Sequence, residues 1–207
     1  MSPDPNLYVI AAPSGGGKTS LIAALLQRDE RITLSVSHTT RPPRPGEIEG
    51  VHYYFVDEDT FLTLIDDGAF LEHATVYGYH YGTGRAAVAN QLLQGYDVML
   101  DIDWQGARQV RKSFPGCCSI FVLPPSLNEL RNRLSKRGQD STEVINKRMQ
   151  QAREEIVHCN EFDFLIINDD FDAAVDDLYG IVRHRAPARP QQRERIKALL
   201  AELLDIV

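Results

Sequence analysis

A chain of 207 residues with 43% hydrophobic and 25% charged residues has the composition of one folded domain with small subdomains and a sizeable core. Its formal net charge of -7 argues against nonspecific binding of nucleic acid or of an anionic membrane through the whole surface. The three cysteines lack metal-ligand spacing, no apolar run reaches the length of a membrane span, and the N-terminus shows no signal peptide. We therefore expect a cytoplasmic protein with no nucleic-acid or membrane partner.

The first predicted strand, 7–12, leads into a glycine-rich turn, 14–17, followed by Lys18, Thr19 and a helical pattern. This order is typical of a phosphate-binding P-loop, in which glycines turn backbone N–H groups toward an anion. The helix that follows presents its positive N-terminal end to the same phosphates. Lys18 would contact the β- and γ-phosphates, and the Thr19 hydroxyl would ligate Mg²⁺. The motif G-x-x-x-x-G-K-[ST] has Ala12 at its first position, and we expect this small residue to be tolerated.

Short β-rich runs alternate with helical patterns through most of the chain. Strands are predicted at 7–12, 97–103, 119–123 and 162–168, with a fifth near 32–37. Helices are predicted at 19–28, 104–113, 126–136, 142–160 and 171–184, and Ser126 and Asp170 are candidate N-caps. This alternation predicts an α/β fold of three layers, with helices on both faces of a parallel sheet.

Two segments depart from this alternation. Residues 38–96 contain a proline-rich break, then tyrosine-rich strands, then a predicted helix at 85–94, and we interpret them as a small mixed α/β insertion. Residues 131–148 are dense in cations and include Gly138, which is more typical of a helical lid than of a core element.

The C-terminal segment after Pro190 has apolar residues at helical spacing, namely Ile196, Leu199, Leu200, Leu203 and Leu204. This pattern favours an amphipathic helix that packs on the chain's own core. The alternative is a face through which the chain forms a homo-oligomer.

A P-loop alone does not identify the reaction. A signalling GTPase needs an N-K-x-D motif to read guanine, and the nearest match, 146–149, lacks the aspartate. Large ATPase machines need more domains than this length supplies.

Five segments follow one another along the chain: SVSHTTRPPRPGEIEGVHYYF in the insertion, then FLEHATVYGYHYGT, DIDWQGA, RLSKRGQDSTEVINKRM and IINDDF. In sequence and in order they resemble bacterial guanylate kinases over residues 6–186. The resemblance implies a P-loop core at 1–37 and 95–186, with a lid at about 126–158. It also implies a GMP-binding subdomain at 38–94 and a separate C-terminal helix at 187–207. The implied reaction transfers the γ-phosphoryl group of ATP to GMP with Mg²⁺ as cofactor, recycles GMP in purine metabolism, and extends to dGMP.

The resemblance also assigns residues. It implies an ATP and phosphate site formed by Ala12, Pro13, Ser14, Gly15, Gly16, Gly17, Lys18, Thr19 and Asn168. It implies GMP binding by Ser37, Arg41, Arg44, Tyr53, Glu72, Tyr81, Thr83, Asp101 and Asp103. It implies that Arg133, Arg137 and Arg148 act in catalysis beside Lys18.

Chemistry supports these assignments. A carboxylate opposite N1 and N2 of guanine and a hydroxyl opposite O6 complement its edge, whereas adenine presents the reverse pattern. Two arginines from one stiff loop can hold a phosphate. Asp101 and Asp103 are expected to share one face of their strand. One of them can orient a Mg²⁺-bound water, with Asp101 as the candidate, and the other can help hold GMP. A helix N-cap at Asp103 is the alternative.

Two other functions stay open at this point. A different nucleoside monophosphate kinase would keep its dependence on Lys18 and lose guanine selectivity. A guanylate-kinase-like interaction module without catalysis would have lost parts of the P-loop or of the acceptor site. The residues expected at both sites are all present, namely Lys18, Thr19, Arg41, Arg44 and Glu72.

Overall fold

The computed structural model describes residues 6–136, 141–184 and 190–203, with the side chains of the last range described from residue 195 onward. Its strands are β1 Leu7–Ala11, β2 Ile32–Leu34, β3 Ser37–Thr39, β4 Tyr53–Phe55, β5 Phe70–Val76, β6 Tyr79–Gly84, β7 Asp97–Asp101, β8 Cys118–Leu123 and β9 Phe164–Ile167. Its helices are α1 Lys18–Arg28, α2 Glu58–Asp66, α3 Arg85–Leu93, α4 Trp104–Ser113, α5 Leu127–Lys136, α6 Thr142–Ile156, α7 Phe171–His184 and α8 Pro190–Leu203.

The large sheet has the strand order β2-β7-β1-β8-β9, with β2 parallel to β7 and β8 parallel to β9. Every residue of β1 and β8 is buried, as expected for strands covered on both faces by helices. The predicted α/β fold with a parallel sheet is therefore confirmed.

The chain forms two compact units. The first comprises residues up to Val9 together with Glu30–Cys118, and the second comprises Ile10–Asp29 together with the residues from Ser119 onward. The first unit contains a second sheet of order β4-β3-β6-β5, in which β6 runs antiparallel to both β3 and β5. A tight hairpin joins β5 to β6 through Tyr77 and Gly78, whose φ angles of 55° and 81° are those of a primed two-residue turn.

One predicted strand differs in the structure, and one helix was not predicted. The predicted strand at 32–37 is two strands in different sheets, because β2 ends at Leu34 and Ser37 begins β3. Helix α2 was not predicted, although Asp57 caps it by accepting a hydrogen bond from the Thr60 N–H at 2.8 Å and Phe61 is fully buried.

The helix at the C-terminus packs on the core of the second unit. Ile196, Leu199 and Leu203 of α8 are buried in one cluster with Phe121 and Ile167. This confirms the prediction of packing on the chain's own core, and Leu204 lies outside the described residues. Among the helices of the described ranges, none has the length and apolar character that crossing a bilayer requires.

Candidate functional site

Three polar side chains predicted to read guanine lie on one rung of the second sheet. Thr83 in β6 pairs with Ser37 in β3 on one side and with Glu72 in β5 on the other, so all three are neighbours across the strands. The Thr83 hydroxyl donates to Oε1 of Glu72 at 2.5 Å, and the Ser37 and Thr83 hydroxyl oxygens are 3.3 Å apart. Glu72 is only 3% exposed. The sheet thus holds a buried carboxylate and two hydroxyl groups in a row.

The predicted phosphate arginines belong to a loop that is held by its own hydrogen bonds. Nη2 of Arg41 donates to both carboxylate oxygens of Glu47 at 2.7 and 2.9 Å, and Nη1 donates to the Pro42 carbonyl at 2.7 Å. The same Glu47 carboxylate accepts the backbone N–H of Arg44 at 2.7 Å. One acidic side chain therefore holds the Arg41 guanidinium and the backbone at Arg44 together.

Two tyrosines complete this group. The Arg41 guanidinium carbon lies 5.4 Å from the centre of the Tyr53 ring, and the Tyr53 and Tyr81 rings meet edge to face at 5.9 Å. Burial, and then the negative charge of Asp101, raise the pKa of Tyr53 to about 12. Like a tyrosine of ordinary pKa, Tyr53 therefore keeps its hydroxyl hydrogen at neutral pH and can act as a hydrogen-bond donor.

Glu47 was missed by sequence reasoning. Burial disfavours its charge, but hydrogen bonds from Arg41 and from the Arg44 N–H, with the attraction of both guanidinium groups, lower the pKa of Glu47 below its ordinary 4.5. Its position three residues beyond Arg44 was the available signal, since an acidic residue in an arginine loop is a natural partner for one of the arginines.

We expect Glu47→Gln to lower the free energy of unfolding by about 1–3 kcal/mol at pH 7, because the Arg41 charge stays buried and loses its partner. The folded-state pKa of Glu47 is lowered, so its contribution is present above pH 4.5 and is lost as the pH falls through the folded value. Urea unfolding of the wild type and the variant should thus differ at pH 7 and converge in acid. The matched change Glu30→Gln, at an exposed position, should leave the urea unfolding curves at pH 7 and in acid the same as those of the wild type. A difference that does not depend on pH would contradict the ion-pair explanation.

Asp101 and Asp103 do not share a strand face, because β7 ends at Asp101. Asp103 instead begins helix α4. Its Oδ1 accepts the Gly106 N–H at 2.9 Å and its Oδ2 accepts the Gln105 side-chain amide at 2.9 Å. The N-cap alternative for Asp103 is thus confirmed.

The second unit carries the predicted P-loop. Gly15 and Gly17 have φ angles of 89° and 91°, which favour glycine, and the Gly16 N–H closes a turn onto the Pro13 carbonyl at 2.8 Å. Helix α1 begins at Lys18, with Thr19 next to it at the exposed helix N-terminus. The strand, turn and helix therefore have the order that the motif predicted.

Asn168 and Arg133 support this loop from β9 and α5. The Asn168 side-chain amide donates to the Gly16 carbonyl at 2.8 Å, and an added Cβ at Gly17 would overlap the same amide group. Nη2 of Arg133 donates to the Asn168 backbone carbonyl at 2.9 Å, and its Nε donates to Glu129 at 3.0 Å. Asn168 thus contacts the P-loop directly, and Arg133 contacts Asn168. The contact of Asn168 with adenine stays a prediction.

Of the other two arginines predicted to act in a lid, the structure describes one. Arg148 lies on α6, which packs on α5 through the buried residues Leu130, Leu134, Met149 and Ala152. Arg137 lies outside the described residues.

Comparisons with known proteins agree on one family. The sequence model of guanylate kinase matches residues 4–185. The guanylate kinase of Alkalilimnicola ehrlichii is 58% identical over 201 residues, covering 96% of each chain, and that of Coxiella burnetii is 53% identical over 200 residues, covering 97% of each. The crystal structure of guanylate kinase from Anaplasma phagocytophilum is similar with a TM-score of 0.75 at 34% identity, over 96% of each chain. The chain belongs to the guanylate kinase family and is a kinase that phosphorylates GMP.

Proposed function

We propose that the chain transfers the γ-phosphoryl group of ATP to GMP or dGMP, giving ADP and GDP or dGDP, and so returns these monophosphates to purine metabolism. The observation that carries the proposal is the buried row of Ser37, Thr83 and Glu72, because it matches the hydrogen-bonding edge of guanine. The P-loop at Lys18 supports a nucleoside triphosphate as donor.

Glu72 would accept N1–H and the 2-amino group of guanine. Oε1 of Glu72 already accepts the hydroxyl hydrogen of Thr83. When the base binds, the hydroxyl of Ser37, or that of Thr83 after rotation, would donate to O6. Adenine would place a lone pair at N1 against the carboxylate, which repels it. The row therefore selects guanine by charge and by hydrogen-bond direction.

Arg41, Arg44, Tyr53 and Tyr81 would hold the GMP phosphate, because together they offer two guanidinium groups and two phenolic donors. Asp101 and Asp103 would complete the acceptor site, with Asp103 contributing through the helix that it caps. None of these assignments uses the ribose 2′-hydroxyl, which is why dGMP is included as an acceptor.

The P-loop backbone from Ala12 to Gly17, Lys18 and Thr19 would bind the triphosphate of ATP. The described residues include no group of three or more His, Cys, Asp or Glu side chains that could hold a metal. A Mg²⁺ ion that arrives with ATP fits this chain, because the Thr19 hydroxyl is an exposed oxygen ligand at the start of α1. Asp101 would contact it through water. When bound, Mg²⁺ neutralises charge on the β- and γ-phosphates.

The acceptor is a phosphate dianion, so the transfer needs alignment and charge neutralisation rather than a strong base. Lys18, Arg133, Arg137 and Arg148 would supply the cations. We propose that residues 126–158 form the lid that brings these arginines to the triphosphate and excludes water from it.

Label transfer tests the proposal directly. ATP labelled in its γ-phosphate is incubated with Mg²⁺ and the protein, with GMP in one reaction and dGMP in another, and the nucleotides are separated. We expect the label in GDP and in dGDP. Label that stays in ATP or appears only as inorganic phosphate would contradict the proposed transfer. Label in GDP but not in dGDP would show that dGMP is not an acceptor.

A further inference from the structure

Helix α4 touches the guanine-reading carboxylate at a glycine. A Cβ added to Gly106 would overlap Oε2 of Glu72 and would lie 3.0 Å from its carboxyl carbon. Gly106 is buried in the first turn of the helix. The backbone of α4 can therefore approach the carboxylate this closely only because residue 106 has no side chain.

The carboxylate has little freedom to avoid a larger residue there. Its other oxygen, Oε1, accepts the Thr83 hydroxyl hydrogen at 2.5 Å, and the whole residue is 3% exposed. A methyl group at position 106 must consequently displace the carboxylate, lengthen the hydrogen bond from Thr83 to Glu72, or move the helix.

Hydrogen bonds hold the helix beside Glu72, so they oppose such a movement. Oε1 of Gln109 accepts the backbone N–H of His73 at 3.1 Å, and Nε2 of Gln109 donates to the His73 carbonyl at 2.6 Å. His73 is the residue directly after Glu72 in β5. At the helix start, the Asp103 carboxylate accepts the Gly106 N–H at 2.9 Å. Both fixed points lie close to the contact between Gly106 and Glu72.

Helix stability does not explain this glycine, because glycine disfavours a helix relative to alanine. The chain offers a comparison in Gly180 of α7, where an added Cβ would meet no atom within 4 Å. Close approach to Glu72 is what distinguishes Gly106.

We propose that Gly106 is a specificity-determining positioning residue, which sets the Glu72 carboxylate at the place where it accepts N1–H and the 2-amino group of guanine, with Gln109 holding α4 to that strand. This inference rests on the proposed role of Glu72 in guanine binding. It predicts that the residue at position 106 affects which acceptor base is bound, although it acts through Glu72 and does not contact the base.

The test compares Gly106→Ala with its matched control Gly180→Ala. Calorimetric titration should show GMP binding weakened by about 10-fold or more in Gly106→Ala, with ATP binding within about 2-fold of the wild type. The preference for GMP over inosine monophosphate, which lacks the 2-amino group, should fall as well. Gly180→Ala should keep both affinities and raise Tm by about 2–4 °C. Wild-type GMP affinity in Gly106→Ala, or an equal loss of GMP and ATP binding, would overturn the inference.

Glu72→Ala separates this inference from the proposed function. If Glu72→Ala binds GMP as the wild type does, the guanine role of Glu72 is wrong and the inference falls with it. If Glu72→Ala loses GMP affinity and Gly106→Ala does not, only the positioning role is wrong. Adding Gly106→Ala to Glu72→Ala should weaken GMP binding no further, because the two act as one unit.

Gln109→Ala serves if Gly106→Ala does not fold. It removes the two hydrogen bonds to the His73 backbone and leaves the glycine in place. We expect GMP affinity to fall by about 3- to 10-fold with ATP affinity unchanged. Unchanged GMP affinity would contradict the role of α4.

Discussion

Replacing Lys18 with alanine is expected to lower kcat by about 1,000-fold or more. Lys18 is the first residue of α1 and follows Gly17, whose φ of 91° ends the glycine-rich turn. The side chain would bring its positive charge to the β- and γ-phosphates, where negative charge must be neutralised during transfer. No other residue of the P-loop, 12–19, carries a positive side chain, so the loop has no substitute.

The measurement for Lys18 is steady-state turnover at saturating GMP and ATP, together with circular dichroism to verify the fold. Lys112→Ala removes the same charge from an exposed position in α4 and should keep wild-type turnover. Turnover near that of the wild type in a folded Lys18→Ala protein would disprove the P-loop assignment.

Glu72→Gln is expected to lower kcat/KM for GMP by about 100- to 1,000-fold while KM for ATP changes little. Glutamine keeps the size of the side chain but loses its charge, and its amide presents one oxygen and one NH₂ group. Guanine would then face an NH₂ group with its own N–H donors, and the Thr83 hydroxyl would lose a charged acceptor. The loss should therefore fall on the acceptor nucleotide.

Kinetics with each substrate varied in turn separate these effects. Glu30→Gln makes the same chemical change at an exposed position of the first unit and serves as the control. Equal losses for GMP and ATP in Glu72→Gln would remove Glu72 from the guanine site and point to a general structural role.

The local parts of this molecule were predictable from sequence. The P-loop could be read because its strand, glycines, Lys18 and helix are contiguous. Helices α4 and α7 have the predicted bounds, and α7 begins where Asp170 accepts the Ala173 N–H at 2.9 Å. Local capping chemistry fixes such helix starts without help from the rest of the fold.

Two of the missed features depend on contacts between distant segments. Nothing in the run 32–39 marks the point where the chain leaves one sheet for the other, since β-forming residues continue across it. Gly106 looks like an ordinary helix residue until β5 places Glu72 against it, 34 positions earlier in the chain. Likewise, the row of Ser37, Thr83 and Glu72 was inferred by resemblance, and its hydrogen bonds require the pairing of three strands.

We propose that a buried carboxylate and its two hydroxyl neighbours select the acceptor base. An ADP-release assay with ATP and Mg²⁺, offering GMP, AMP, UMP, CMP and dTMP separately, tests it most directly. The arrangement of Ser37, Thr83 and Glu72 predicts strong turnover with GMP and only trace turnover with the other four. Turnover with AMP comparable to that with GMP would contradict the claim, because a carboxylate opposite N1 of adenine has no hydrogen to accept.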